Sequence, residues 1–185
     1  MTASEVAAPA FTQLTRPSEL SSSMRRELAA CWASVANAGG AVIPADCPLP
    51  PLTSAHMEAA VDRIAGELAP ERRRLVVATV DGALAGWLLV RRETHPLEAH
   101  CGTVNHVQTQ VRFRGSGVGA ALMHRVRRIA REEMGLERLR LTVRSGLGLE
   151  VFYGKAGWTE VGRWPGALRL APGDDRDEIL MSLAL

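Results

Sequence analysis

The chain is organised around one stretch, Val107-Gln-Thr-Gln-Val-Arg-Phe-Arg114-Gly-Ser-Gly117-Val-Gly119-Ala-Ala-Leu-Met123. An extended apolar run enters a glycine-dense turn, and the turn opens directly into the pattern of an amphipathic helix. Glycines at alternate positions let the backbone bend tightly and approach a ligand, because no Cβ shields the amides. The helix adds the free N–H groups and the positive dipole end of its first turn. The stretch therefore predicts a phosphate site, best suited to a pyrophosphate.

Two common phosphate-loop fingerprints do not match this turn. It lacks the Gly-Lys-Ser/Thr ending of a P-loop, and it lacks the Gly-x-Gly-x-x-Gly spacing and the acidic residue of a dinucleotide site. The spacing that does match is Arg-x-x-Gly-x-Gly, from Arg114 to Gly119. A second pattern lies later in the chain, where Phe152-Tyr153 is followed by Gly157-Trp158.

Composition bounds the class of protein. At 185 residues, with 46% hydrophobic and 23% charged residues, the chain has the size and balance of one globular domain. Its longest apolar run, residues 83–90, is far below the roughly 18 residues of a membrane helix, so no membrane span is expected. Residues 1–9 lack the features of a signal peptide, and we interpret them as a frayed leader of a cytoplasmic protein before a domain at 10–185.

Cysteine usage and charge limit the expected ligands. Three widely separated cysteines fit neither a disulfide framework nor a zinc site, so reduced thiols and no metal are expected. Arginines concentrate in the second half of the chain although the formal net charge is only +2. Aromatic residues for base stacking do not interleave with these arginines, which favours a phosphorylated cofactor over nucleic acid as the anionic partner.

Hydrophobic periodicity predicts eleven elements in the order β-α-α-β-β-β-α-β-α-β-β. An irregular loop rich in proline and glycine is expected at 39–51, and Asp81-Gly82 predicts a hairpin turn. The helices are expected at 20–37, 57–68, 118–134 and 147–156, the last with Leu149 and Phe152 facing inward. The strands are expected at 10–15, 75–80, 83–91, 102–110, 138–144, 158–163 and 177–183.

The two motifs and the element order together resemble the GNAT family of N-acetyltransferases, over roughly residues 10–185. Arg114 to Gly119 resembles the family's acyl-CoA pyrophosphate loop, and Phe152 to Trp158 resembles its second conserved segment. The resemblance implies a single α/β (α+β) GNAT domain with a mixed, mostly antiparallel central sheet of about seven strands flanked by four helices. Within the family, Gly146 and the segment 161–166 look like small-molecule acetyltransferases of the tabtoxin-resistance type.

The resemblance also implies a reaction and a cosubstrate. A primary amine of a small molecule would attack the thioester of acetyl-CoA directly. The pantetheine arm would lie along backbone groups of Val107, Gln108 and Thr109, where the fourth and fifth strands splay, with Phe152 as a further contact. Val111 replaces a proline that is common in the family, which a backbone contact tolerates. The pyrophosphate would be held by Arg114, Gly115, Ser116, Gly117, Val118, Gly119 and Ala120.

Two residues are candidates for proton transfer. Tyr153 stands where the family places the general acid that protonates the departing thiolate, and the alternative is a packing aromatic beside Phe152. His106 lies on the fourth strand, and histidine is the side chain that most often serves as a general base, so it is a candidate base for the amine, with a packing or surface histidine as the alternative. Alternation turns only one of Asn105 and His106 toward the site, and a bulge would change which one. Glu150 is a weaker candidate base.

Other functions remain open from the sequence alone. A non-catalytic acyl-CoA sensor would keep the fold but would not need Tyr153. A nucleic-acid binder would use the arginines and would lose affinity steeply with salt. The loops that would contact the amine are neither markedly acidic nor markedly aromatic, so they do not select one acceptor. Small members of the family often pair, so a homodimer is compatible with the resemblance.

Overall fold

The structure is a computed structural model that describes residues 7–40, 43 and 46–185. It contains four α-helices and seven strands, as the sequence predicted. The helices are α1 (Ser22–Asn37), α2 (Ser54–Gly66), α3 (Val118–Arg128) and α4 (Leu149–Lys155). The strands are β1 (Ala10–Leu14), β2 (Arg73–Val80), β3 (Ala83–Arg92), β4 (Cys101–Thr109), β5 (Arg138–Arg144), β6 (Thr159–Ala171) and β7 (Asp174–Ala184).

The strands form one mixed sheet in the order β1-β2-β3-β4-β5-β7-β6. The predicted α/β (α+β) class and the predicted element order are therefore confirmed. β3 lies inside this order and is buried from Leu84 to Val90, as its continuous apolar sequence indicated. Residues 1–6 of the predicted leader at 1–9 lie outside the described residues. Residues 41, 42, 44 and 45 of the predicted loop lie outside them as well.

One compact unit contains the described residues up to Leu89 together with residues 106–122. In it β1 pairs antiparallel with β2, from Ala10 opposite Thr79 to Leu14 opposite Leu75. The Asp-Gly turn after β2 takes positive φ angles of 49° at Asp81 and 76° at Gly82, as that dipeptide predicts. The apolar stripes of α1 and α2 enter the core of this unit; they include Leu28, Trp32, Met57, Val61 and Ile64.

A second compact unit contains residues 90–105 and 123–185. Its β5 pairs antiparallel with β7 along the whole strand, from Arg138 opposite Ala184 to Arg144 opposite Glu178. β4 pairs with β5 in parallel from Cys101 opposite Arg138 to Thr103 opposite Arg140. The inward residues of β5 are Leu139, Leu141 and Val143, as the alternation predicted.

The last two strands are longer than predicted. The expected strands ended at residue 163 and resumed at 177, whereas β6 continues to Ala171 and β7 begins at Asp174. Proline and glycine at 165 and 166 indicated a strand end, because proline cannot donate to a ladder. The strand tolerates both residues because the register with β7 shifts between Trp164 and Leu168.

Smaller differences concern the helices. The third helix was predicted as one continuous α-helix, but after α3 it continues as a π-helical turn over Ile129–Glu133 before Gly135. In α4 the buried residue is Tyr153, while Leu149 and Phe152, which were expected to face inward, are half-buried. In the part of the chain that the structure describes, no helix has the length and apolar character of a membrane span.

Candidate active site

The glycine turn that predicted the phosphate site lies in the first unit, between β4 and α3. Gly115 and Gly117 have φ angles of 77° and 89°, in the left-handed region where side chains are strained. At both positions no atom lies within 4 Å of the place that a Cβ would occupy. The backbone of the turn is therefore open to a ligand, as a pyrophosphate cradle requires.

The first turn of α3 contributes further donors. Its hydrogen bonds begin with the N–H of Ala121, which donates to the carbonyl of Gly117 at 2.9 Å. Helix geometry therefore leaves the N–H groups of Val118, Gly119 and Ala120 without an intrahelical acceptor. The helix is fixed by its buried face, which includes Val118, Leu122 and Val126. These amides and the helix dipole favour an anion at this end.

Two polar side chains of the turn have different surroundings. Arg114 is exposed, and its Nη1 lies 3.4 Å from the carbonyl oxygen of Ala38, which leaves further guanidinium donors for a ligand. Ser116 is engaged within the turn, because its Oγ donates to the carbonyl of Phe113 at 2.6 Å and its N–H donates to the same oxygen at 3.4 Å. Arg114 is therefore better placed than Ser116 to supply a side-chain contact.

The strand that precedes the turn carries the predicted pantetheine contacts. β4 continues to Thr109, beyond the last residue paired with β5, which is Thr103. Val107 and Thr109 are half-buried, and Gln108 is fully buried. Gly86 of β3 lies close to this strand, because a Cβ at Gly86 would lie 2.6 Å from the carbonyl oxygen of Gln108.

His106 is buried in an aromatic environment. Its ring lies edge-on to Trp32 at a centroid distance of 4.9 Å and stacks on Trp87 at 5.8 Å with an angle of 15°. The residue has a φ angle of 54°, which is uncommon outside glycine and marks a local irregularity in the strand. That irregularity turns His106 inward, whereas Asn105 is half-buried.

A carboxylate that the sequence analysis missed contacts this histidine. Asp46, in the loop between α1 and α2, places its Oδ2 2.9 Å from Nε2 of His106, and its Oδ1 also accepts a hydrogen bond from Arg63. Burial opposes ionisation of Asp46, but the hydrogen bond with His106 and the charge and hydrogen bond of Arg63 outweigh it, so the pKa of Asp46 lies below its ordinary value. One acidic residue in a proline-rich loop shows no sequence pattern that would have predicted this contact.

Tyr153 and Phe152 lie in the second unit. The Tyr153 ring is buried, with the Phe152 ring edge-on at 5.0 Å and the Trp158 ring at 6.0 Å. Burial raises the pKa of the Tyr153 phenol well above its ordinary value. The phenol is therefore protonated at neutral pH, which a proton donor requires. Glu150, the weaker candidate base, is half-buried in the first turn of α4.

The three cysteines are free thiols, as expected. Cys31 is buried, and the loss of solvation raises the pKa of its thiol to about 12. Such a thiol is not a nucleophile at neutral pH, because the thiolate is the reactive form. Within the described ranges, no three His, Cys, Asp or Glu side chains cluster as metal ligands would.

Comparison with known proteins identifies the fold. A model of the acetyltransferase (GNAT) family matches residues 43–158, which is more than half of the chain. An acetyltransferase of the GNAT family from Streptococcus pneumoniae superposes with a TM-score of 0.69 at 20% identity, over 95% of this chain and 100% of that chain. No curated protein sequence matches the chain significantly.

Two further solved structures have the same fold. A protein provisionally identified as a phosphinothricin N-acetyltransferase has a TM-score of 0.75 at 20% identity, over 95% of this chain and 99% of that one. The ribosomal-protein-S18-alanine N-acetyltransferase of Escherichia coli has a TM-score of 0.64 at 17% identity, over 95% and 94% of the two chains. At these identities the likeness concerns the fold.

Proposed function

Because the chain belongs to the acetyltransferase (GNAT) family, we propose that it transfers an acetyl group from acetyl-CoA to a primary amine of a small molecule. The family uses acetyl-CoA as its cosubstrate, which supplies the acetyl group as an activated thioester. The observation that carries the proposal is the turn from Arg114 to Ala120. It combines an open glycine backbone with free amides at the start of α3.

The turn binds the pyrophosphate of the cosubstrate through backbone and side chain together. The N–H groups of Val118, Gly119 and Ala120 supply donors that lack a partner within the helix. Arg114 adds a charged donor, and charge-assisted hydrogen bonds to phosphate are stronger than neutral ones. Gly115 and Gly117 keep the approach clear. The backbone groups of Val107, Gln108 and Thr109 orient the pantetheine arm, beyond the part of β4 that pairs with β5.

Two side chains move protons in this proposal. His106 takes a proton from the incoming ammonium group, since only the neutral amine is nucleophilic. Tyr153 donates a proton from Oη to the departing thiolate, and its phenol is in the protonated form at neutral pH. The role of Tyr153 rests on the family resemblance and on its protonated state, and that of Phe152 rests on the resemblance alone.

The small-molecule acceptor is supported by two likenesses. The segment 161–166 resembles acetyltransferases of the tabtoxin-resistance type, and the fold is like that of the provisional phosphinothricin N-acetyltransferase. A protein N-terminus is the alternative acceptor, since the E. coli enzyme with this fold is an N-acetyltransferase of a ribosomal protein. The homodimer, the cytoplasmic location and the domain bounds of 10–185 stay predictions.

Release of CoA against a panel of amines tests the proposal. We expect turnover with a small primary amine, and we expect Tyr153→Phe to lower kcat roughly 100-fold while the KM for acetyl-CoA is unchanged, because only the proton donor is removed. Phenylalanine keeps the ring contacts with Phe152 and Trp158. A matched control is Val151→Ala on the exposed face of the same helix, which should retain full activity.

Two outcomes would contradict the proposal. Tight acetyl-CoA binding without CoA release for any amine would identify the chain as a sensor. Turnover restricted to peptide N-termini would replace the small molecule by a protein acceptor.

A further inference from the structure

The pair formed by Asp46 and His106 is buried and specific. The side chains are 11% and 5% exposed, and the two residues are 60 positions apart in the chain. Oδ2 of Asp46 contacts Nε2 of the imidazole, while Oδ1 accepts from Arg63. The carboxylate therefore joins the loop after α1, the helix α2 and the strand β4 within the first unit.

This contact defines which nitrogen of His106 carries the proton. An ionised carboxylate can only accept a hydrogen bond, so Nε2 must be the donor. In the neutral imidazole the other nitrogen, Nδ1, then has a free lone pair. Nδ1 is buried and has no hydrogen-bond partner among the residues that the structure describes.

An acceptor of this kind is unusual inside a protein. Most buried polar atoms have a partner, and the exceptions call for an explanation such as a catalytic role. His106 is also held at a φ angle of 54°, and strained backbone of this type concentrates at functional sites. Trp32 and Trp87 fix the plane of the ring from two directions. The imidazole is therefore oriented at both the ring and the backbone.

We propose that Asp46 is a positioning residue for His106: it fixes the tautomer and presents the Nδ1 lone pair to the ammonium group of the acceptor. This inference rests on the proposed acetyl transfer. In the step, the N–H bond of the ammonium breaks, its electron pair stays on the amine nitrogen, and the proton forms a bond with Nδ1. The carboxylate of Asp46 then offsets the positive charge of the imidazolium.

The competing role for Asp46 is to anchor its loop to α2 through Arg63. Two substitutions separate these roles. Asp46→Asn changes both contacts, because an amide can donate to the imidazole as well as accept from it. Arg63→Gln removes the charge that anchors the loop and leaves the carboxylate on His106. A matched control for the charge of Asp46 is Asp62→Asn, an exposed α2 residue that pairs with Arg25.

Steady-state kinetics are the first readout. We expect Asp46→Asn to lower kcat about tenfold or more with an unchanged KM for acetyl-CoA, because part of the imidazole adopts the wrong tautomer. Arg63→Gln should lower the melting temperature but retain most of kcat, and Asp62→Asn should retain both. In a His106→Asn background, where asparagine tolerates the positive φ, Asp46→Asn should cause no further loss of kcat.

Nitrogen NMR of the free protein is the second readout and needs no acceptor. We expect the spectrum of His106 to show a protonated Nε2 and an unprotonated Nδ1 in the wild type, and a mixture of tautomers in Asp46→Asn. A proton on Nδ1 in the wild type would overturn the inference even if no variant folded. Equal losses of kcat in Asp46→Asn and Arg63→Gln would overturn it in favour of anchoring.

The two readouts also separate this inference from the proposed function. A wild-type protein that shows the expected tautomer but acetylates no amine would refute acetyl transfer, while the spectrum would still support the control of the tautomer by Asp46. A wild-type protein that acetylates an amine, with Asp46→Asn equally active, would refute the positioning role alone.

Discussion

Two buried side chains of β4, those of His106 and Gln108, differ in their hydrogen-bond partners. His106 is buried with a carboxylate on one nitrogen, and Gln108 is fully buried with no hydrogen-bond partner for either polar atom of its amide among the described residues. The role proposed for Gln108 uses its backbone, not its side chain. In that proposal the side-chain amide of Gln108 has no part in acetyl-CoA binding, and its burial without a partner destabilises the fold.

Replacing Gln108 by methionine should stabilise the protein. A buried amide without partners costs about 1–3 kcal/mol, and methionine has a similar shape without this penalty. We expect the melting temperature to rise by about 2–4 °C per kcal/mol gained, with an unchanged KM for acetyl-CoA. The control is Gln110→Met, which should lower the melting temperature, because the Gln110 side chain accepts from the N–H of Val111 at 2.9 Å. A lower melting temperature for Gln108→Met would show that the amide has a partner.

Gly86→Ala should destabilise the protein. The added Cβ would lie 2.6 Å from the carbonyl oxygen of Gln108 and close to side chains of Val118 and Leu122, so the strand or the helix would have to shift. We expect a loss of about 1–3 kcal/mol, measured by urea unfolding. The same substitution at Gly66 is the control, because no atom lies within 4 Å of the added Cβ there. An unchanged midpoint for Gly86→Ala would mean that β3 and β4 can separate freely.

At the level of elements, the turn and α3 act together. The turn provides an open backbone, and the first turn of the helix provides amides without an intrahelical acceptor. Arg114 is the charged side chain of this arrangement, and Arg112 lies two residues earlier, over the ring of Phe113 at 4.8 Å. Comparison of these two arginines separates a direct contact from a general effect of positive charge.

Arg114→Ala should weaken acetyl-CoA binding about 10- to 100-fold, because a hydrogen bond to a charged group contributes about 1.5–3 kcal/mol. Isothermal titration calorimetry measures this change. Arg112→Ala removes the same charge and should alter the Kd much less. If the two variants lose affinity equally, charge attraction rather than a contact of Arg114 would explain the effect.

The elements also show where sequence patterns carry information. The stripes of α1, α2 and α3 and the alternation of β5 were predictable, because residues close in the chain define those faces. The length of β6 and β7 was not, since the bulges that accommodate Pro165 and Gly166 depend on the facing strand. The contact between Asp46 and His106 was not predictable either, because 60 residues separate the partners.

At the level of the whole molecule, the candidate residues belong to both units. The first unit contains the turn, β4 from His106 onward and α1, and the second contains Tyr153 and Phe152. The family and the fold were predictable from two short motifs, since each motif is continuous in the chain. The acceptor was not, because no such motif specifies it.

Acetyl-CoA should stabilise the folded chain as a whole. A ligand at about 100 times its Kd adds about 2.7 kcal/mol, which for a chain of this size corresponds to a rise in melting temperature of about 5–10 °C. Thermal unfolding with acetyl-CoA, and separately with a DNA duplex, measures the effect. We expect the melting temperature to rise with acetyl-CoA and to stay unchanged with the duplex. A shift with the duplex that disappears at high salt would instead support nucleic-acid binding.

The two indole rings that contact His106 allow its charge to be followed by tryptophan fluorescence. The chain has four tryptophans, and two of them, Trp32 and Trp87, flank this imidazole directly. Trp164, by contrast, is exposed on β6, and Trp158 lies beside Tyr153. Indole emission depends on neighbouring charge, so protonation of the His106 ring would change the intrinsic fluorescence of Trp32 and Trp87. A Trp164→Phe variant would remove the emission of the exposed tryptophan. The remaining emission would then report the charge of the His106 imidazole in real time, without an added label.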